Sequence, residues 1–98
     1  MTDHAPYTYI SVALTPKEDP FVAVSFHDAE MWIRATVLAD RQPLLHMSCG
    51  KASVSVSTTG AGPVSDADVT TARTLFEAAS RYLADCERLH AEQATAAA

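Results

Sequence analysis

Four side chains with the chemistry of metal ligands occur as two close pairs, His46 with Cys49 and Cys86 with His90. Two thiolates and two imidazoles form a common tetrahedral shell for structural zinc. Cys86 and His90 are four residues apart and would share one face of a helix, whereas His46 and Cys49 in a strand would point to opposite faces. Both cysteines also fit apolar stripes. The sequence therefore favours packing roles and predicts neither a bound metal nor a cofactor.

Two smaller constellations would suit catalysis. Cys49 with His46 or His27 would make a nucleophile pair, provided that the thiol pKa is lowered and an imidazole lies within hydrogen-bond reach. Asp28 and Glu30 would offer a general acid and base, although carboxylates in a turn are usually just solvated. No local signature surrounds either set. The question of enzymatic activity stays open, and the sequence favours a protein that is not an enzyme.

The charge of the chain restricts its partners. The 98 residues include 7 Lys and Arg against 12 Asp and Glu, a net charge of −5. Nucleic acids and anionic membranes are bound through basic clusters, so neither is expected as a partner. The first residues lack a secretory signal, and no stretch has the roughly 18 apolar residues of a membrane span. We expect a cytoplasmic protein with two free cysteines.

Alternating apolar and polar residues predict five short strands, at residues 7–14, 21–27, 31–38, 44–49 and 52–58. Gly50 and Lys51 separate the last two strands and predict a two-residue hairpin turn, because glycine readily takes a positive φ. Residues 1–6 precede the first strand and are expected to form a flexible N-terminus.

One long helix is predicted at residues 66–93. Ser65 is a candidate N-cap, and Asp68 stands where a capping box places an acidic or amide side chain. The remaining residues, 94–98, carry no packing signal and are expected to be a disordered tail. Apolar residues recur three and four apart along the helix and predict one broad apolar face: Ala72, Leu75, Phe76, Ala79, Tyr82, Leu83, Cys86 and Leu89.

Five strands followed by one helix predict an α+β fold in a single domain at residues 7–93. The expected architecture is a five-stranded antiparallel meander with the long C-terminal helix packed across one face. A helix of residues 66–93 would span roughly 40 Å, whereas five strands are only about 19 Å wide. The helix would therefore extend beyond the sheet. Its second half, with Leu83, Cys86 and Leu89, is predicted to pack on a second copy of the chain.

A second candidate interface is the sheet face that would carry Tyr7, Tyr9 and Trp32, with Phe21 and Leu44 beside them. The favoured function is a small cytosolic interaction or regulatory module that acts as a homodimer and binds an unidentified protein. The alternative is a small enzyme or ligand-binding protein with a pocket between sheet and helix.

Overall fold

The structure is a computed structural model that describes residues 4–97. The elements in chain order are β1 (Tyr7–Ala13), β2 (Phe21–His27), β3 (Trp32–Val37), β4 (Pro43–Cys49), β5 (Ala52–Val56), a 3₁₀ turn (Thr59–Ala61) and α1 (Asp66–Ala97). These elements confirm the predicted α+β class, with five antiparallel strands followed by one long helix.

The five strands form two sheets. One sheet is the hairpin β1-β2, and the other is the meander β3-β4-β5, so that strands adjacent in sequence pair as predicted except at the step from β2 to β3. At that step the Asp28 carboxylate accepts a hydrogen bond from the backbone N–H of Glu30, at 2.8 Å. This local turn satisfies one backbone donor of the connection between β2 and β3.

The register of the β1-β2 hairpin separates its aliphatic row from its tyrosines. Ile10 pairs with Val24, and this row lies on the apolar face. Tyr7 pairs with His27 on the opposite face, where the two rings stack with their centroids 4.5 Å apart. The alternation of residues along the sequence therefore predicted correctly which side chains share a face of this hairpin.

The three-stranded sheet shows the same division. Ile33, Met47 and Val54 form one apolar row across its three strands. Trp32 and Arg34 lie on the other face, with the guanidinium carbon 4.8 Å from the centroid of the indole ring. That distance is within the range of a cation–π contact.

The turn between β4 and β5 has the predicted length. Cys49 pairs with Ala52, which leaves Gly50 and Lys51 as the two loop residues. Gly50 has φ +59°, a left-handed conformation that glycine adopts without the penalty of a Cβ atom. The glycine thus fixes the register that places Val54 on the apolar face.

The first turn of α1 contains the predicted capping box. The N–H of Asp68 donates to Ser65 Oγ at 3.2 Å, and the N–H of Ser65 donates to Asp68 Oδ2 at 3.0 Å. Thr59 adds two further bonds to Asp68 Oδ1, from its backbone N–H at 3.0 Å and from its hydroxyl at 2.6 Å. The carboxylate therefore ties the 3₁₀ turn to the helix start.

The far end of α1 lies beyond the expected boundary. The helix continues to Ala97, four residues past the predicted end at residue 93. Alanine is the strongest helix former, and residues 94–97 contain no glycine or proline that would stop the helix. Residues 1–3 and 98, which belong to the predicted flexible ends, lie outside the described residues.

Contacts divide the chain into two compact units, residues 1–57 and residues 58–98. The uniform composition had predicted one domain over residues 7–93. Within the described residues of each unit, no side chain is buried. The first unit consists of two small sheets and the second of a helix with a short turn, so neither unit contains the two packed layers that normally enclose a core.

Ser65→Ala should lower the free energy of unfolding by about 1 kcal/mol, because the variant leaves the N–H of Asp68 without its cap. Urea unfolding followed by circular dichroism at a fixed protein concentration measures the change. The matched control is Ser80→Ala, the same substitution at an exposed position inside α1, which should be neutral or slightly stabilising. Equal losses of stability in the two variants would contradict the capping role.

Acid should weaken the same helix start. The hydrogen bond from the Thr59 hydroxyl, followed by the one from the backbone N–H of Ser65, lowers the pKa of Asp68 to about 2. A lowered carboxyl pKa adds stability above the unfolded-state value near 4, and this contribution disappears as the pH falls toward about 2. Urea unfolding between pH 2 and 5 should show a shallower pH dependence for Asp68→Asn than for the wild type. Equal slopes would disprove the linkage.

Candidate functional site

The most extensive candidate site is the apolar side of α1, called here the α1 face. Its members lie within a sector of about 160° around the helix axis, just under half of the circumference. They are all solvent-exposed: Val69, Ala72, Leu75, Phe76, Ala79, Tyr82, Leu83, Cys86 and Leu89. Phe76 and Tyr82 are each 72% exposed, and Leu83 is 59% exposed. A contiguous apolar surface of this kind usually marks a protein interaction site.

The polar side of α1 has its charges paired. Arg81 Nε lies 3.3 Å from Asp85 Oδ1, and an Arg88 nitrogen lies 3.4 Å from the same oxygen. Arg88 also contacts Glu92 at 3.5 Å. These i, i+3 and i, i+4 pairs are solvated and stabilise the isolated helix slightly. They mark this side as the one that faces water, in contrast to the α1 face.

Cys86 has an aromatic partner on the α1 face. A hydrogen bond with the Cys86 side chain raises the pKa of the Tyr82 hydroxyl. The pair joins two successive turns of the helix, and Cys86 is itself exposed.

The apolar faces of the two sheets form a second candidate surface. Ile10 is 57% exposed, Val22 60% and Ile33 58%, whereas Leu45 and Met47 in the middle strand are half-buried. Within residues 4–57, these apolar rows lack a covering layer, because no side chain there is buried. Strand pairing alone leaves such a face open.

The predicted aromatic surface is divided between the two sheets. The register places Tyr7, Tyr9 and Phe21 on one face of the β1-β2 hairpin. It places Trp32 and Leu44 together on one face of the three-stranded sheet. Tyr7, Tyr9 and Trp32 are each more than half exposed. Rings with this exposure are available to a partner, although Tyr7 also stacks on His27 and Trp32 contacts the Arg34 guanidinium.

An open cleft of about 320 Å³ lies in the unit of residues 1–57. The cleft is lined by the first half of β1, the turn after β2 and the β4-β5 turn with its flanking residues: Thr8, Ile10, Asp28, Cys49, Gly50, Lys51 and Ala52. The Cys49 thiol donates a hydrogen bond to Asp28 Oδ2 at 3.3 Å. The thiol–carboxylate contact thus links the two sheets of this unit beside the cleft.

This contact makes Cys49 a poor nucleophile. The bond to Asp28 is the largest cause that raises the pKa of the thiol, and it outweighs the lowering effect of Thr8. The pKa of Asp28 is lowered, first by the N–H of Glu30 and then by Cys49. The carboxylate therefore favours the protonated thiol, whereas nucleophilic catalysis requires the thiolate.

The histidines proposed as partners for Cys49 lie elsewhere. His46 pairs with Arg34 and lies on the opposite face of β4, as the odd spacing had predicted. The ring of His27 stacks on Tyr7. Between residues 4 and 97, no three His, Cys, Asp or Glu side chains are grouped so as to hold a metal ion. The four candidate ligands His46, Cys49, Cys86 and His90 therefore do not form such a cluster.

The pairing of Asp28 with Cys49 was missed by the sequence analysis. The two residues are 21 positions apart, with no motif linking them. Asp28 directly follows β2 and Cys49 ends β4, so their proximity depends on how the two sheets meet. The sequence alone predicted only that Asp28 lies in a turn.

Comparisons with known proteins give no functional assignment. The chain matches no protein family, no curated protein and no solved structure. In the part of the chain that the structure describes, no helix has both the length and the hydropathy needed to cross a membrane.

Asp28→Asn should increase the reactivity of Cys49 toward iodoacetamide. The substitution removes the negative charge that holds the thiol proton, so the pKa of Cys49 falls and its thiolate fraction rises at pH 8. Mass spectrometry of the digested protein gives separate alkylation rates for Cys49 and Cys86.

The matched control is Asp40→Asn, which removes a carboxylate that is not among the groups shifting the pKa of Cys49 and should leave that rate unchanged. Cys86 serves as an internal reference in both variants. A Cys49 rate that is the same in the wild type and in Asp28→Asn would show that the carboxylate does not control the thiol.

Proposed function

We propose that this chain is a protein-interaction module that acts as a homodimer and offers its remaining apolar surface to another protein. One observation carries the proposal. No described side chain is buried, while α1 and both sheets present apolar faces whose large side chains are mostly exposed. The proposed partner for the α1 face is the same face of a second copy.

The energetic reason is that ordering the backbone costs free energy, which only the burial of apolar side chains can offset. Fixing the backbone of each residue costs about 1–2 kcal/mol, and burial of a leucine or phenylalanine returns about 1.5–3 kcal/mol. A single helix without tertiary contacts is only marginally stable in water. The 32 residues of α1 therefore need a cover for their apolar side. Dimer formation would cover this apolar side.

A second copy suits the α1 face because a two-fold interface uses the same patch twice. An apolar patch matches itself, whereas the opposite side of α1, with its ion pairs between Arg81, Asp85, Arg88 and Glu92, would lose solvation on burial. The proposed dimer contains the predicted interface residues Leu83, Cys86 and Leu89.

The sheet faces are the proposed surface for a different protein. They combine exposed aliphatic rows with rings such as Tyr9 and Trp32, which are frequent at the centres of interfaces. The chain carries a net charge of −5, which opposes acidic partners. Both cysteines are free, as expected of a protein that works in a reducing compartment such as the cytoplasm.

The dimer is tested by the mass of the protein in solution. Multi-angle light scattering at micromolar concentration should give twice the mass of one chain. Leu83→Asp places a charge within the α1 face and should shift the protein to a monomer or strongly weaken the dimer.

Ala84→Asp is the matched control, since it adds the same charge to the same helix on the polar side and should remain a dimer. Circular dichroism checks that both variants are folded to the same extent. A wild-type chain that is monomeric at this concentration would refute the proposal, and so would equal weakening of the dimer by the two variants.

A further inference from the structure

The middle of the α1 face is a line of small side chains. Ala72, Ala79 and Cys86 are seven residues apart, and seven residues advance a helix by about two turns, so the three lie almost along one line. Larger side chains stand on both sides of the line. One side carries Leu75, Tyr82 and Leu89, and the other carries Val69, Phe76 and Leu83.

This arrangement matches a second helix of the same kind. Small side chains along the contact line permit a short distance between helix axes, and the large ones can then interlock on both sides. We propose that α1 pairs with α1 of a second copy in an antiparallel dimer whose two-fold axis passes at Ala79. This inference rests on the proposed homodimer and adds its direction and register.

The antiparallel register uses all three small residues. With the axis at Ala79, Ala72 faces the partner's Cys86, and Ala79 faces the partner's Ala79. In an antiparallel pair each flank of one helix meets the same flank of the other. Tyr82 then lies beside the partner's Leu75, and Phe76 beside the partner's Leu83.

Charges beside the α1 face favour the antiparallel direction. Arg73 and Glu87 lie next to the flank of Phe76 and Leu83, and neither forms an ion pair among the described residues. In the antiparallel register, Arg73 comes beside the partner's Glu87, and the symmetry creates this pair twice.

A parallel dimer would bring like charges together instead of opposite ones. A two-fold axis along the helices places one flank against the other flank, so that Arg73 comes beside the partner's uncharged Thr71. Glu87 then comes beside the partner's Asp85, a contact between like charges. Cys86 would face the partner's Cys86. The two directions thus predict different disulfides.

Disulfide trapping in the 98-residue chain determines the register of the two helices. The protein carries Cys49→Ser, so that Cys86 is its one native thiol, together with Ala72→Cys. A disulfide needs Cα atoms within about 7 Å, whereas positions 72 and 86 of one helix are about 21 Å apart. Oxidation with copper phenanthroline should therefore give a covalent dimer in which position 72 is joined to Cys86 of the other chain. Tryptic peptides identify the joined positions.

Two controls set the background of the trapping experiment. The Cys49→Ser chain without Ala72→Cys should not cross-link, because its two Cys86 residues are far apart in the antiparallel dimer. Ala84→Cys in the same background, with Cys86 replaced by serine, places the thiol on the polar side of α1 and reports random collisions.

Charge reversal supplies a second readout. Arg73→Glu and Glu87→Arg should each weaken the dimer, raising Kd by about two- to tenfold at low salt, and the double variant should restore it. Sedimentation equilibrium measures the three constants.

The outcomes separate this inference from the homodimer itself. A Cys86–Cys86 disulfide between chains, or a solution dimer with trapping no higher than the Ala84→Cys background, would overturn the antiparallel register and leave the homodimer standing. A monomer at micromolar concentration would overturn both.

Discussion

The constraint on which the structure depends is that α1 cannot cover its own apolar side. A single helix presents its apolar residues along one stripe, and only another element can remove that stripe from water. The charges on the polar side are largely satisfied by neighbours one turn away, which leaves that side with little need for a partner. The α1 face is thus the surface on which the stability of residues 58–98 depends.

The start of α1 is fixed by a closed set of hydrogen bonds. Ser65 and Asp68 satisfy each other's backbone N–H groups, and Thr59 holds the same carboxylate from the preceding turn. A capped first turn fixes the point from which the helical repeat begins. The spacing of the apolar residues along the sequence, and not the cap, then places Leu89 on the same face as Leu75.

Within residues 4–57, one hydrogen bond controls the protonation of the Cys49 thiol. The Cys49 thiol donates a hydrogen bond to Asp28, and this contact favours the thiol over the thiolate. The residue types that suggested a nucleophile or a metal site are therefore present without the geometry that either role needs. The exposed aliphatic rows of the two sheets are the more extensive feature of this unit.

The sequence by itself determined the local features of this protein. Strand alternation, the Gly50 turn and the Ser65–Asp68 capping box were all predictable, because each depends on residues a few positions apart. The sequence did not reveal the break between β2 and β3, the continuation of the helix to Ala97 or the contact between Asp28 and Cys49. Only the tertiary structure decided which apolar faces stay open, because burial depends on what packs against a face and not on the residues that form it.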